Sequence, residues 1–186
     1  MTRLATLVLL FTVILCVSTD QIVPKAFQQI FPNAAAAKVK TLTTNVNKQT
    51  TAAKAKEVIK KWIPANAAQV SIMMFNPNNN PNAALQKKAF AFINYRFSLK
   101  KYVNYLYNQA VATKYLTMSE ADTMRTMFWT CDKKAANNYT VTSETFITEA
   151  SAKIIKTPSI KDSVTDLTGK FAKANPKDYK NLQWTL

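Results

Sequence analysis

The scarcity of glycine is the feature that most restricts how this chain can fold. Its 186 residues include one glycine, Gly169. Hairpins, barrels and sandwiches place glycine at turn positions with positive φ, so this composition argues against an all-β fold. Ala, Lys, Leu and Met are frequent instead, and the breaks between apolar segments fall at Asn and Pro. The sequence therefore predicts an all-α protein whose helices are joined by loops rich in Asn and Pro.

The N-terminal residues have the pattern of a secretory signal peptide. Arg3 supplies a positive charge, and residues 4–17 form an apolar run that is shorter than the roughly 20 residues of a transmembrane helix. We therefore expect a cleaved signal peptide over residues 1–19 and a secreted, extracellular mature chain. Residues 20–186 should form a single α-helical domain, a bundle of about six to eight helices.

The residue types that are missing from the chain argue against most enzymatic mechanisms. There is no histidine, which excludes a His-based triad and His ligation of a metal. A single glycine also excludes phosphate-binding glycine loops. Cys16 would leave with the signal peptide, so Cys131 has no partner for an intrachain disulfide and is predicted to be a buried thiol, with an intermolecular disulfide as the alternative. We expect a protein that is not an enzyme and that has no metal or other cofactor.

The clearest helical periodicity runs from Asn82, a predicted N-cap, to Thr113. Arg96 interrupts an apolar stripe that otherwise continues at alternating spacings of three and four residues. A second apolar set, which includes Ile93, widens this face, so the segment is predicted to be the central helix. The stripe consists of Leu85, Ala89, Phe92, Leu99, Val103, Leu106 and Ala110.

Other helices are predicted from caps and from apolar spacing. A long helix should begin at Pro32-Asn33 and end before Pro64. A break near 48–51 is the alternative, because threonines are weak helix formers. The apolar face of this predicted helix consists of Val39, Leu42, Val46, Ala53, Val58 and Trp62. Residues 70–75 fit either a helix or a buried strand. Three further helices should start at Thr117 or Ser119, at Ser143, and at Ser159 with Ala174 as the last position of its core face.

Positive charge is concentrated in the first part of the chain. Residues 21–114 hold 14 Lys or Arg and one acidic residue, Glu57, whereas residues 115–186 hold 10 basic and 8 acidic residues. We therefore distinguish a basic half, 20–114, from a near-neutral half, 115–186. The basic half should attract anionic partners. Its candidate binding residues are the pairs Lys60-Lys61, Lys87-Lys88 and Lys100-Lys101.

The composition of the chain and its predicted export limit which anionic partners the basic half can be expected to bind. Lys outnumbers Arg 22 to 2 in the mature chain, while base-specific reading of nucleic acid relies on Arg. No specific nucleic acid partner is therefore expected. An anionic membrane surface or an acidic glycan fits better, and a solvated lysine surface without a partner is the simplest alternative.

Aromatic residues around Arg96 suggest a second kind of site. Large amphipathic side chains on the central helix could line an apolar cavity between helices, although such a stripe is also typical of an ordinary core. A buried cation among them needs an anionic partner, either a fatty-acid carboxylate or an acidic side chain, Glu120, Asp122 or Glu144. The alternative is that the Arg96 side chain extends to solvent at the edge of the core. The predicted ligand-binding residues are Arg96, Phe92, Leu99, Val103 and Tyr107.

One short segment resembles a known family. Leu116-Thr117-Met118-Ser119-Glu120-Ala121 is similar to the Leu-(Ser/Thr)-x-Glu helix starts of the nematode fatty-acid- and retinol-binding proteins. The resemblance implies an all-helical fold around an apolar cavity and carries over no ligand residue. The preferred hypothesis is a secreted helical protein that binds a hydrophobic carboxylate or another lipid. The alternatives are a surface-interaction or host-defence protein acting through the basic half and a structural secretory component without a ligand.

The sequence contains one N-glycosylation sequon, Asn138-Tyr139-Thr140. It follows a predicted basic helix end and precedes the cap at Ser143, which indicates an exposed loop. Asn138 should therefore carry a glycan when the chain is secreted by a eukaryotic host.

Overall fold

A computed structural model of the chain describes residues 21–66, 81–137 and 158–183, with the side chains of 81, 130–137, 158 and 159 left out of the description. These residues form seven helices and no strand, which confirms the predicted all-α fold for this part of the chain. The predicted signal peptide (1–19), residues 70–75, Asn138 and the start of the helix predicted from Ser143 lie outside the described residues. The helices are α1 (Pro24–Ile30), α2 (Ala36–Asn47), α3 (Ala52–Ala65), α4 (Pro81–Ala112), α5 (Met118–Asn137), α6 (Pro158–Ala174) and α7 (Pro176–Asn181).

The long helix α4 is the centre of the fold. It packs against α1, α3, α5, α6 and α7, and all seven residues of the predicted apolar stripe are buried in the core. The prediction of a central helix over this segment is therefore confirmed. Asn82 as the N-cap is wrong, because the helix already includes Pro81, whose fixed φ suits the first helical turn.

The long helix predicted from Pro32-Asn33 to Pro64 is wrong, and the alternative break near 48–51 is confirmed. α2 ends at Asn47, and Thr51 caps α3 by accepting a hydrogen bond from the Lys54 backbone N–H at 3.3 Å. The buried face of α3 does not continue the residue spacing of the buried face of α2. The buried face of α3 is Ala55, Ile59 and Ile63, whereas Ala53 is exposed and Val58 and Trp62 are half-buried.

Helix α1 was not predicted, because seven residues are too few to show a helical period. Pro24 stands in its first turn, and Ala26, Phe27 and Ile30 are buried. The ring of Phe27 meets that of Phe92 on α4 edge to face, with centroids 5.6 Å apart. This contact joins α1 to the central helix.

The start of α5 forms a capping box, which selects Thr117 over Ser119 as its N-cap. The Glu120 carboxylate accepts hydrogen bonds from the backbone N–H and the hydroxyl of Thr117, both at 2.9 Å. The Thr117 hydroxyl in turn accepts the Glu120 backbone N–H at 3.3 Å. These bonds satisfy backbone groups that the first turn of a helix leaves without partners.

Helix α6 buries Ile160, Val164, Leu167 and Phe171 as predicted. Ala174 is exposed, so its assignment to the core face is wrong; the helix ends at this residue. The short helix α7 follows directly and docks on α4. Leu182, just after α7, is 1% exposed and completes this side of the core.

Candidate functional site

A cleft of the described structure lies between α2, α4, α5 and the segment before α1. Its volume is about 400 Å³. It reaches the surface at Gln21, Lys100 and Asn104, which are solvent-exposed. Its apolar walls are Ile22, Val46, Phe97 and Trp129, and its polar lining consists of Gln21, Asn47, Gln49, Arg96, Lys100, Asn104 and Arg125.

One wall of the cleft is held in place by the side chain of Asn47, the last residue of α2. Its Oδ1 accepts the Ile22 backbone N–H at 3.0 Å, and its Nδ2 donates to the Ile22 carbonyl at 2.9 Å. The two bonds attach the chain before α1 to the end of α2. Ile22 is thereby fixed as an apolar wall beside the polar groups of α4.

Arg96 is the innermost cation of the cleft. It is 6% exposed, and its guanidinium carbon lies 5.5 Å from the ring centroid of Trp129 on α5. Lys100 and Asn104 follow at one-turn intervals, so α4 presents all three polar side chains along one face. An attraction between a cation and an indole face is strengthened by removal from water. The contact therefore orients Arg96 toward α5.

Arg125 brings a second guanidinium to the cleft from α5. It stacks on Tyr107 of α4, with 4.4 Å from the guanidinium carbon to the ring centroid. Its Nη2 donates to Asp122 at 2.7 Å, and both side chains of this pair are partly exposed. The planar guanidinium is suited to bind a carboxylate with two parallel hydrogen bonds.

The cleft is positively charged. Arg96, Lys100 and Arg125 line it, and none of the described residues that line it is acidic. Near the cleft, the Asp122 carboxylate accepts a hydrogen bond from Arg125, and the Glu120 carboxylate accepts the bonds of the capping box from Thr117. The arrangement combines cations, carboxamides and apolar walls, which is suited to an anion that carries an apolar body.

Of the five predicted ligand-binding residues, Arg96 lines the cleft. Phe92, Leu99 and Val103 are at most 2% exposed and are packed in the core, so they do not line it. Tyr107 is half-buried and supports Arg125. The apolar stripe of α4 thus serves as packing surface, and the polar residues of the cleft extend from Arg96, within the stripe, to Lys100 and Asn104 beside it.

Comparison with family models, curated proteins and solved structures gave no match to this chain. The resemblance at residues 116–121 therefore stays a prediction. Among the described helices, none combines the length and the apolar character needed to cross a membrane. The same residues contain no group of three or more Cys, Asp or Glu side chains placed to hold a metal ion.

All six lysines of the three predicted pairs are exposed. Consecutive helical residues point about 100° apart, so each pair divides between two directions. The Lys101 ammonium also donates to Asp178 of α7 at 2.7 Å, while Lys100 faces the cleft. The remaining pairs, Lys60-Lys61 and Lys87-Lys88, belong to the neighbouring helices α3 and α4.

Sequence reasoning missed Arg125, Trp129 and Asn47 as parts of the cleft. Arg125 and Trp129 are four residues apart, which places them on one face of α5, and this spacing was visible in the sequence. Which helix face they meet depends on how α5 crosses α4. Asn47 gave no signal, because its role depends on a contact 25 residues away.

Proposed function

We propose that this protein is a non-enzymatic helical binding protein whose ligand is a hydrophobic carboxylate held in the cleft. The anionic group would meet Arg96, Arg125 and Lys100, and the apolar part would lie along Ile22, Val46, Phe97 and Trp129. The observation that carries the proposal is the convergence of three cations and two aromatic residues in one cleft. The predicted signal peptide adds that the protein would act outside the cytosol.

The size and shape of the cleft support a ligand of modest length. A volume of about 400 Å³ is within the range of small-molecule sites. The core around Phe92, Leu99 and Val103 is filled by side chains. The proposed ligand therefore lies in the cleft beside α4, with part of its chain at the surface near Gln21.

A fatty acid and its alcohol provide the test. Dodecanoate and dodecanol share the apolar chain, so only the carboxylate can respond to a missing cation. A hydrogen bond to a charged group contributes roughly 1.5–3 kcal/mol, and about 1.4 kcal/mol is a factor of ten in affinity. We expect Arg96→Met and Arg125→Met each to weaken dodecanoate binding about tenfold or more, with little change for dodecanol, in titrations followed by tryptophan fluorescence.

Two controls make this titration specific. Lys161→Met removes one exposed cation from α6, away from the cleft, and should leave both affinities unchanged. Trp129→Phe should remove most of the fluorescence response, which assigns the signal to the cleft, and should weaken both compounds alike in calorimetry, because it removes part of their shared apolar wall. The proposal is wrong if the wild-type protein binds neither compound, or if the two Arg variants weaken acid and alcohol equally.

A further inference from the structure

A second groove lies between α3 and α4, apart from the cleft. Its volume is about 470 Å³, and Lys56, Gln86, Lys87, Phe90 and Asn94 supply its functional groups. None of these residues lines the cleft around Arg96. The groove is therefore a second candidate binding site, separate from the cleft.

The α4 side of the groove is built by helical spacing. Gln86, Lys87, Phe90 and Asn94 recur at intervals of one, three and four residues, which places them along one edge of the helix. Lys56 approaches from α3, with its ammonium nitrogen 5.8 Å from the ring centroid of Phe90. Phe90 is half-buried, so its ring forms an apolar floor between the two lysines.

The charge around the groove is positive. None of the described residues that line it is acidic, and Lys60 follows Lys56 one turn later on α3. Helix α3 carries four lysines and one acidic residue, Glu57. A cationic groove with two carboxamides offers ammonium groups to anions, while the carboxamides can both donate to and accept from hydroxyl groups.

From these groups we infer that the α3–α4 groove binds an acidic oligosaccharide, with Lys56 and Lys87 meeting sulfate or carboxylate groups and Gln86 and Asn94 bonding sugar hydroxyls. A membrane surface fits less well. Proteins that lie on membranes insert apolar side chains beside their cations, whereas the exposed large apolar residues of the described chain, Tyr115 and Met118, are at the turn between α4 and α5.

The test uses three hexasaccharides and the full secreted protein. A heparin-derived hexasaccharide carries sulfate and carboxylate groups, a hyaluronan hexasaccharide carries carboxylates alone, and maltohexaose is neutral. In calorimetric titrations we expect the heparin hexasaccharide to bind most tightly because it carries the most negative charge, the hyaluronan hexasaccharide to bind more weakly, and maltohexaose not to bind. The double variant Lys56→Gln, Lys87→Gln should lose about tenfold in affinity for the heparin hexasaccharide, since the loss of about 1.4 kcal/mol corresponds to that factor.

Three matched variants distinguish the groove from general charge. Lys161→Gln with Lys173→Gln removes two exposed charges from α6 and should change the affinity by less than about twofold. Lys56→Arg with Lys87→Arg keeps both charges and should bind the hexasaccharide. Arg96→Met should leave this binding unchanged, so that failure of the cleft proposal and failure of this one are separate results.

The inference is overturned by any of three results. If the α3–α4 and α6 double variants lose affinity for the heparin hexasaccharide equally, the sugar is attracted to the positive charge of the whole surface. Competition by maltohexaose at the same concentration would show that the anionic groups are not recognised. Binding to vesicles of anionic phospholipid through Lys56 and Lys87, without binding to the hexasaccharides, would assign the face to membranes.

Discussion

The single glycine of the chain, Gly169, occupies an exposed position in the interior of α6. Its φ is not positive, and within the described residues a Cβ added there would have no atom outside its own stretch of helix within 4 Å. The turn between α4 and α5 has the left-handed backbone that suits glycine, yet it uses Lys114, with φ of 58°. At the residue scale, the glycine of this protein therefore stands where its flexibility has no structural use.

Replacing Gly169 should stabilise the protein. We expect Gly169→Ala to raise the free energy of unfolding by about 0.5–1 kcal/mol, because alanine loses less backbone entropy in a helix and makes no clash here. Urea denaturation measures the change. Gly169→Ser serves as a graded control and should fall between glycine and alanine, as helix propensity ranks them. A destabilised alanine variant would show that position 169 has a contact outside the described residues.

At the scale of single elements, α7 is fastened to α4 by a small polar network. The Asp178 carboxylate accepts hydrogen bonds from the Ser98 hydroxyl at 2.9 Å and from the Lys101 ammonium at 2.7 Å. Asn181 donates to Ser98 at 3.0 Å. Burial raises the pKa of Asp178, but the bonds from Lys101 and Ser98 outweigh it and leave the pKa below its ordinary value.

This network should make the docking of α7 sensitive to acid. Because the folded pKa of Asp178 is lowered, its stabilisation is present above the unfolded pKa of 3.8 and is lost as the pH falls through the folded value. We expect Asp178→Asn to lower stability at neutral pH by up to about 1 kcal/mol, since the pair is partly exposed. Below the folded pKa, the variant and the wild type should unfold at similar denaturant concentrations.

Asp166→Asn is the matched control for this experiment. Asp166 pairs with Lys170 within α6 at 2.8 Å, and both side chains are about half exposed. Removing this exposed ion pair should have little effect on the free energy of unfolding. Equal effects of the two substitutions at neutral pH would contradict a specific role of Asp178 in holding α7.

At the scale of the whole molecule, Tyr102 joins three helices. Its ring lies on α4 and meets Phe128 of α5 and Phe171 of α6, with centroids 5.6 and 5.1 Å apart. Its hydroxyl is 2.6 Å from the hydroxyl of Thr168, which donates to the Val164 carbonyl. Tyr102 therefore donates to Thr168, and burial raises its pKa to about 12.

This buried phenol should limit stability in alkali. Its folded pKa is raised from 10.0 to about 12, so the stabilisation is complete below pH 10 and is lost as the pH rises toward 12. Tyr102→Phe should lower the free energy of unfolding by about 1 kcal/mol at neutral pH, because the hydrogen bond to Thr168 is lost. Between pH 10 and about 12, the variant should lose less stability than the wild type, because it has no phenol to ionise. Guanidinium denaturation at neutral pH measures the first effect, and the same measurement at pH 10 and at about pH 12 measures the second.

Tyr115→Phe is the control, because Tyr115 is 45% exposed at the α4–α5 turn. It should leave the alkaline loss of stability unchanged. If Tyr102→Phe also leaves it unchanged, then groups other than this phenol govern alkaline unfolding, and the assigned role of Tyr102 in the alkaline loss is wrong.

The sequence alone determined the all-α class, the central helix and most of its core positions. These features depend on local propensity and on a periodic apolar stripe, both of which are visible within one segment. The capping box at Thr117 and the burial of Ile160, Val164, Leu167 and Phe171 were predictable for the same reason. The break between α2 and α3 was predictable only as an alternative, because threonine-rich segments weakly disfavour a helix without ending it.

Tertiary structure decided where the candidate site lies. Phe92, Leu99 and Val103 carry the same apolar pattern whether they line a cavity or fill a core, and the packing of α1 against α4 buried Phe92 against Phe27. The crossing of α4 and α5 placed Trp129 beside Arg96, and the bonds between Asn47 and Ile22 hold one wall of the cleft. A periodic stripe shows which face of a helix is buried, but the neighbouring helices determine whether the space beside that face is filled or open.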